Sequence, residues 1–576
     1  MEILTGLFLV AVFFIFVLIA RQISHERLNL SPVTPNKETH YEIVRTALEG
    51  NRFSRKSGLE LARMILEGEV TSEEVVAAHI QHIEEVNPHL NAVVAFRFKE
   101  ALEEARACDQ ALAQRKAAGD LPPYYGVPCT VKECFALTGM PQASGLVSRK
   151  DFRASYDAAA VANLRAAGAI PLGVTNTSEL CMWMESANKV YGRTRNPFDP
   201  TRIVGGSSGG EGAIVGAGAS PFGVGSDIGG SIRMPAFFNG VFGHKPSPGL
   251  VPNQGQHPVA KGEAERYLTT GPISRRAEDL WPLLQAMAGK RERGDSERDE
   301  SDSATAAFEV SPADVDLSRL TVYWLDSNEA PVAEAVSVEM RHAIHRAVEH
   351  MAAAYGCRTE HAKDRLHRLK HSLDIWSSMM HVGNEAESFA EMLANGDPSF
   401  SAWRELLVWL FRGTSDFTLP ALGLCLVEKL PDLAPERTAA FVEKGRQLKK
   451  QVEELLSPSS VLFFPSYPSA APKHSKPVFR PVNWQYTGIW NMVEVPVTQV
   501  PLGLSRQYRL PLGLQVVGAQ GCDNVTIAVA LSLEKAYGGW RLPALLDVDD
   551  DGYHGTDEEQ ELEQPCRLSA EEEEEE

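Results

Sequence analysis

Gly205 to Arg233 reads GGSSGGEGAIVGAGASPFGVGSDIGGSIR. Eleven of these residues are glycine. Glycine at that density costs conformational entropy on folding, and a chain accepts the cost where its backbone must come close to something or take up φ > 0. A loosely packed linker would share the composition. However, the short apolar runs Ile214-Val215 and Phe222-Gly223-Val224, and the position mid-chain, point to a folded segment. A phosphate-cradling loop would end in Gly-Lys-Ser/Thr, which is absent. The five-residue pattern G-x-S-x-G fits frames centred on Ser207 and on Ser208, but it is weak in so glycine-rich a stretch. That frame would need a later histidine, with His244 and His257 as candidates.

Outward from this stretch the pattern alternates strand and helix. Tyr125 to Lys132 (YGVPCTVK) reads as a short buried strand ending in lysine, Ala158 to Ala167 as a helix, and Ile170 to Val174 as a strand. Upstream, Leu59, Leu61, Ile65 and Leu66 have helical spacing, and Thr71-Ser72-Glu73-Glu74 starts a second helix that carries Ile80, Ile83, Val86 and Leu90. A long Ala/Glu-rich helix is expected from about Phe98 to Ala117. Such alternation implies an α/β architecture.

Two blocks, Gly205 to Gly210 (GGSSGG) and Gly225 to Ala236 (GSDIGGSIRMPA), follow the lysine strand Gly126 to Glu133 (GVPCTVKE) in fixed order and separation. Together they resemble the amidase signature family, and among its branches the membrane-associated fatty acid amide hydrolases. Ser178 to Trp183, Met234 to Pro248 and Pro511 to Val517 extend the resemblance over most of residues 57–545. The resemblance implies a central twisted mixed β-sheet surrounded by helices, and amide hydrolysis by a Ser-Ser-Lys centre. Ser231 would be the nucleophile, Ser207 the bridging serine and Lys132 the general base. The backbone amides of Ile228, Gly229, Gly230 and Ser231 would form the oxyanion hole, Cys181 would border the substrate, and the Gly206–Ser207 peptide would be cis. Cys181 stands where a methionine is found in a better-known member of the branch. No cofactor or metal is implied.

The chemistry suits these residue types. A serine hydroxyl attacks an amide poorly until a base removes its proton. Lysine is charged at neutral pH, with an ordinary pKa of about 10.4, and burial favours the neutral form that can act as a base. Asp227 and Arg233 are expected to orient the loop, or simply to form an ion pair.

The 576 residues carry a formal net charge of −20, which argues against nucleic acid as a partner. Fifteen acidic residues against Arg567 lie between Asp547 and Glu576, so residues 546–576 read as an acidic, solvated tail. The eight cysteines form no C-x-x-C pair and give no sign of a zinc site or a disulfide framework. Ile3 to Ala20 is an uncharged apolar run that just reaches membrane-spanning length. Met1-Glu2 before it and Arg21-Gln22 after it suit an anchor over residues 1–22 better than a cleaved leader. Arg21 and Arg27 would keep the body on the cytosolic side of a single-pass membrane protein, with Glu26 counting against that asymmetry. Endoplasmic reticulum and lipid droplet are candidate membranes.

Residues 23–56 then read as a polar connector and 57–545 as one catalytic domain, with the charged stretch 290–303 as a surface loop. Trp403, Leu406, Leu407, Leu410 and Phe411 recur at helical spacing and suit either a membrane-dipping cap or a plain core helix. The partners expected are a lipid amide substrate and a membrane, with a homodimer left open. Other small amides as substrates, and a tethered scaffold without activity, are the competing readings.

Overall fold

A computed structural model describes residues 22, 36–289, 310–383, 385 and 387–541. The apolar run 3–20, the charged stretch 290–303 and the acidic tail lie outside the described residues. Among the described residues no helix is long and apolar enough to cross a membrane.

The centre is an eleven-stranded mixed sheet. Its order is Val93–Phe96, Ile170–Thr175, Pro128–Lys132, Phe222–Asp227, Thr269–Ser274, Phe242–Lys245, Val497–Leu504, Pro511–Val517, Ser460–Pro465, Thr321–Trp324 and Arg358–His361. The Pro128–Lys132 strand runs parallel to both of its neighbours, pairing Lys132 with Thr175 on one side and Val131 with Val224 on the other. All three strands are buried along their whole length. Parallel strands covered on both faces read as continuous apolar or small-residue runs, as these do.

The helices follow the sequence closely. Thr71 caps Ser72–Leu90, its hydroxyl accepting from Glu74 N–H while the Glu74 carboxylate accepts from Thr71 N–H. The long helix spans Phe98–Ala118 and ends at Gly119 in the left-handed region. Helices Val338–Tyr355 and Asp523–Tyr537 pack on the strands of the C-terminal half, and Gly209–Gly216 packs on those around Lys132.

Two readings change. Within the stretch expected as a connector, Lys37–Gly50 is a helix that buries Tyr41, Val44, Ala47 and Leu48 and packs on Ser72–Leu90. Its polar residues dilute the apolar stripe enough to hide it. Ala402–Arg412 is a helix, but Trp409 alone is buried along it. Trp403, Leu407 and Phe411 are 66 %, 53 % and 65 % exposed, so this is no core helix. Trp409 packs instead into a small separate cluster with Leu146, Leu180, Phe389 and Leu422.

Candidate active site

The site forms where parallel strands end, the edge at which α/β sheets gather ligands. Lys132 closes the Pro128–Lys132 strand and is fully buried. Its Nζ donates to Ser207 Oγ at 2.7 Å and to Ser226 Oγ at 2.9 Å. Ser207 precedes helix Gly209–Gly216 and follows a cis Gly206–Ser207 peptide. Ser186 Oγ holds this turn, sharing its one proton between the Gly205 and Ser207 carbonyls and accepting from Gly209 N–H. Ser208 N–H donates to the Ser231 carbonyl at 3.1 Å, so the two serine blocks run side by side. Ser231 is 8 % exposed, whereas Ser207 and Lys132 have no solvent contact.

The turn before Ser231 is built around one carboxylate. Asp227 Oδ1 accepts from Gly230 N–H at 2.7 Å and Oδ2 from Ile232 N–H at 3.0 Å. Arg233 Nε and Nη2 close a bidentate pair on Asp227, and both side chains are fully buried. Burial alone would raise the Asp227 carboxyl; the Arg233 guanidinium overrides it and holds the group well below the usual carboxylate range. Arg233 also donates to the Thr487 carbonyl, Gln515 Oε1 and Asn491 Oδ1, tying the turn to the far half of the chain. Gly230 has φ +115°, and a Cβ there would collide with Thr487 Oγ1. Of the four amides expected to bind an oxyanion, Gly230 is therefore already engaged. Those of Ile228, Gly229 and Ser231 meet no acceptor among the described residues.

Around Lys132 lie further polar groups, of which the sequence pointed to Cys181 but not to the burial of Glu211. Glu211 is buried below the lysine and accepts from Thr130 Oγ1 at 2.6 Å and Thr175 Oγ1 at 2.8 Å. Burial pushes its carboxyl up to about 8, against the pull of the two hydroxyls and Lys132. A side chain at Gly223 would strike the Glu211 carboxyl, so a glycine is required there. Glu133 accepts from the amides of Ala143 and Ser144 and from Tyr191 Oη, and burial raises it to about 7. Cys181 sits at φ +60° with Thr177 Oγ1 at 3.3 Å from its Sγ. The neighbouring Cys134 thiol draws the Cys181 thiol below its ordinary value, against the effect of burial. Helices Ala402–Arg412 and Leu419–Val427 form a cap against this corner, where Thr418 donates through N–H and Oγ1 to Glu179 Oε2.

His244, one partner considered for a hydrolase elbow, is occupied elsewhere. It is buried between Asp523 Oδ1 at 3.0 Å and Thr498 Oγ1 at 2.9 Å. Among the described residues no group of three or more His, Cys, Asp or Glu is placed to hold a metal ion.

Residues 74–527 match the Amidase family. The chain belongs to the amidase family. It is 44 % identical over 499 residues to fatty-acid amide hydrolase 2 of Homo sapiens, a match covering 84 % of this chain and 90 % of that protein. It is 46 % identical over 497 residues to fatty-acid amide hydrolase 2-A of Danio rerio, with the same coverage of both chains. Among solved structures, 6-aminohexanoate cyclic dimer hydrolase superposes with a TM-score of 0.68 at 26 % identity, over 85 % of this chain and 99 % of that one. A fatty acid amide hydrolase structure at 21 % identity shares the fold, with a TM-score of 0.65 over 91 % of this chain and 96 % of that one. As a member of this family the chain is an amide hydrolase with an α/β amidase signature fold.

Proposed function

We propose that this amidase hydrolyses long-chain fatty acid amides to a fatty acid and an amine at a membrane surface. The observation that carries the reading is the buried Lys132–Ser207 hydrogen bond beside the Ser231 turn. Ser231 Oγ attacks the amide carbonyl carbon and passes its proton to Ser207 Oγ, whose own proton moves to neutral Lys132. The oxyanion is met by the free amides of Ile228, Gly229 and Ser231, donors already in place before charge develops. Collapse of the tetrahedral intermediate breaks the C–N bond, and the leaving amine takes the proton back along the same relay. Water then adds to the acyl-Ser231 ester and releases the fatty acid, and the Ser231 hydroxyl is restored.

The lipid substrate and the membrane draw on two further supports. The relatives at 44 % and 46 % identity over 90 % of their own length are named for fatty acid amides. The Ala402–Arg412 helix presents Trp403, Leu407 and Phe411 outward as one apolar stripe, the form of a helix lying in a bilayer interface. Gln22, two positions after the apolar run 3–20, donates through Nε2 to the Leu410 carbonyl of this same helix. An anchor over residues 1–22 would then bring that stripe to the bilayer, with Cys181 bordering the acyl chain behind it.

A fluorophosphonate probe tests the centre, with an adduct at Ser231 expected in folded enzyme and its absence refuting the Ser231 assignment. A panel of oleamide-like and short aromatic amides tests the substrate class, and equal kcat/KM on both would refute the lipid reading.

A further inference from the structure

The turn that offers the free amides is itself held from outside. Trp376 Nε1 donates to the Ile228 carbonyl at 3.1 Å, and Thr487 Oγ1 lies 2.8 Å from the Gly229 carbonyl. The two bonds differ in kind. The single Thr487 hydroxyl proton is shared between Gly229 O and Trp484 O, both at 2.8 Å. The indole N–H of Trp376 goes to Ile228 O alone.

The Ile228–Gly229 peptide is trans. In a trans peptide the C=O and the N–H point in opposite directions. A donor fixed on Ile228 O therefore fixes the direction of the Gly229 N–H. That amide has no acceptor among the described residues, while the next one, Gly230 N–H, is used by Asp227.

Trp376 lies on helix Ser372–Gly383, far from the turn in sequence. Its ring meets Trp484 edge-on at 4.6 Å and 73°. The pair roofs the turn: a Cβ at Gly229 would stand 3.7 Å from Trp484 and 3.9 Å from Trp376 Nε1, ordinary contact distances. At Gly488 a Cβ would come within 2.5 Å of the Trp484 ring, so a glycine there lets helix Gln485–Met492 approach the pair.

We infer that Trp376 is a positioning residue for amide hydrolysis, its indole N–H holding the Ile228–Gly229 peptide so that Gly229 N–H faces the developing oxyanion. The inference rests on the Ser231 chemistry proposed above. It locates part of the oxyanion hole's rigidity in a helix outside the signature blocks.

The test compares the full-length enzyme with Trp376→Phe and with Trp376 replaced by benzothienylalanine, in which sulfur takes the place of the ring N–H without changing shape. A misdirected amide should lower kcat on the order of 10-fold to 100-fold with KM within about twofold. The inhibition constant of a trifluoromethyl ketone, which forms a tetrahedral oxyanion on the nucleophile, should rise by the same factor as kcat/KM falls. Should the phenylalanine variant fail to fold, the isosteric replacement decides alone. Unchanged kcat and ketone affinity in the isostere overturn the inference, and so does a loss confined to KM. Ser231→Ala, measured alongside, separates the two readings: its full activity would refute the Ser231 chemistry, whereas a silent Trp376 isostere beside an inactive Ser231→Ala refutes only the positioning role.

Discussion

Lys132 Nζ stands 2.7 Å from Ser207 Oγ, and neither side chain touches solvent. A proton leaving Ser207 therefore has a base within hydrogen-bond reach and no water competing for it. Lys132→Ala should lower kcat/KM by about 10²–10⁴, the range for a positioned general base. Ser226→Ala removes the other Lys132 acceptor, 2.9 Å away, and should cost less than about tenfold because the proposed relay stays intact. Steady-state kinetics on one amide substrate checks both. Full activity of Lys132→Ala would remove the lysine from the mechanism.

The Asp227–Arg233 pair makes a different demand. Both groups are fully buried, and Arg233 joins Asp227 to Thr487, Asn491 and Gln515. Removing one partner strands a charge in the interior, which costs about 3–5 kcal/mol. Arg233→Ala should lower the urea midpoint by the equivalent of that figure. It should also free the Gly230 amide from a fixed partner, so activity falls even under conditions where the variant is folded. A variant of wild-type stability would show that the pair is not the clamp its geometry suggests.

Glu211 gives the stability a pH dependence whose sign follows from its shift. Burial raises its carboxyl from an ordinary 4.5 to about 8 in the folded protein. The folded state thus binds the proton more tightly than the unfolded chain. That contribution is complete below about 4.5 and is lost as pH rises to about 8. Glu133, Asp279 and Glu534 are also raised by burial and act in the same direction. The discriminating quantity is therefore a difference: Glu211→Gln has no proton to lose, and its melting temperature should decline less than that of the wild type between pH 5 and 8. Parallel curves would show that Glu211 does not titrate in this range.

Much of this site was legible because its chemistry sits in short, unusual blocks. Ser207 and Ser231 belong to a glycine-rich run of unusual composition, Lys132 ends an otherwise apolar strand in fixed order before it, and the cis Gly206–Ser207 peptide came with the resemblance. What escaped was whatever the fold brings in from elsewhere. Trp376, Thr487, Asn491 and Gln515 lie 140 residues or more from the turn they hold, and nothing in their local sequence distinguishes them from core residues. Glu211 was visible inside the glycine-rich stretch, but its burial and its two threonine partners depend on how three strands align. Helix Lys37–Gly50 was missed for the opposite reason: a narrow apolar stripe suffices when a helix packs along one side only.

Cys181 offers a chemical readout of the same corner. The neighbouring Cys134 thiol draws it below the ordinary thiol value, while burial raises Cys129, Cys134, Cys425 and Cys522. The thiolate is the reactive form. Iodoacetamide at pH 7 should label Cys181 ahead of those four, with a rate that rises at lower pH than theirs, as peptide mass spectrometry would show. Activity should fall in step with labelling because the adduct fills the space beside Ser207. Preferential labelling of a cysteine distant from Lys132 would contradict this account of the corner.

The exposed stripe on Ala402–Arg412 lets the proposed membrane contact be tested apart from catalysis. Trp403, Leu407 and Phe411 lie on consecutive turns and face outward, while Trp409 holds the helix to the body from its other side. Exposing three large apolar side chains to water carries a hydrophobic cost that an interface would relieve, at roughly 25 cal/mol per Å² of apolar surface covered. The triple change Trp403→Ser, Leu407→Ser and Phe411→Ser should therefore reduce co-sedimentation with neutral phosphatidylcholine vesicles. Turnover of a short, water-soluble amide should stay within about twofold of wild type, since the centre is built on other elements. On the proposed approach from a bilayer, a long-chain amide presented in vesicles should be hydrolysed more slowly, through KM. Undiminished vesicle binding would assign the stripe to another surface. A matching loss on the soluble amide would mean instead that the stripe supports the fold of the cap, since a membrane contact alone leaves that substrate untouched.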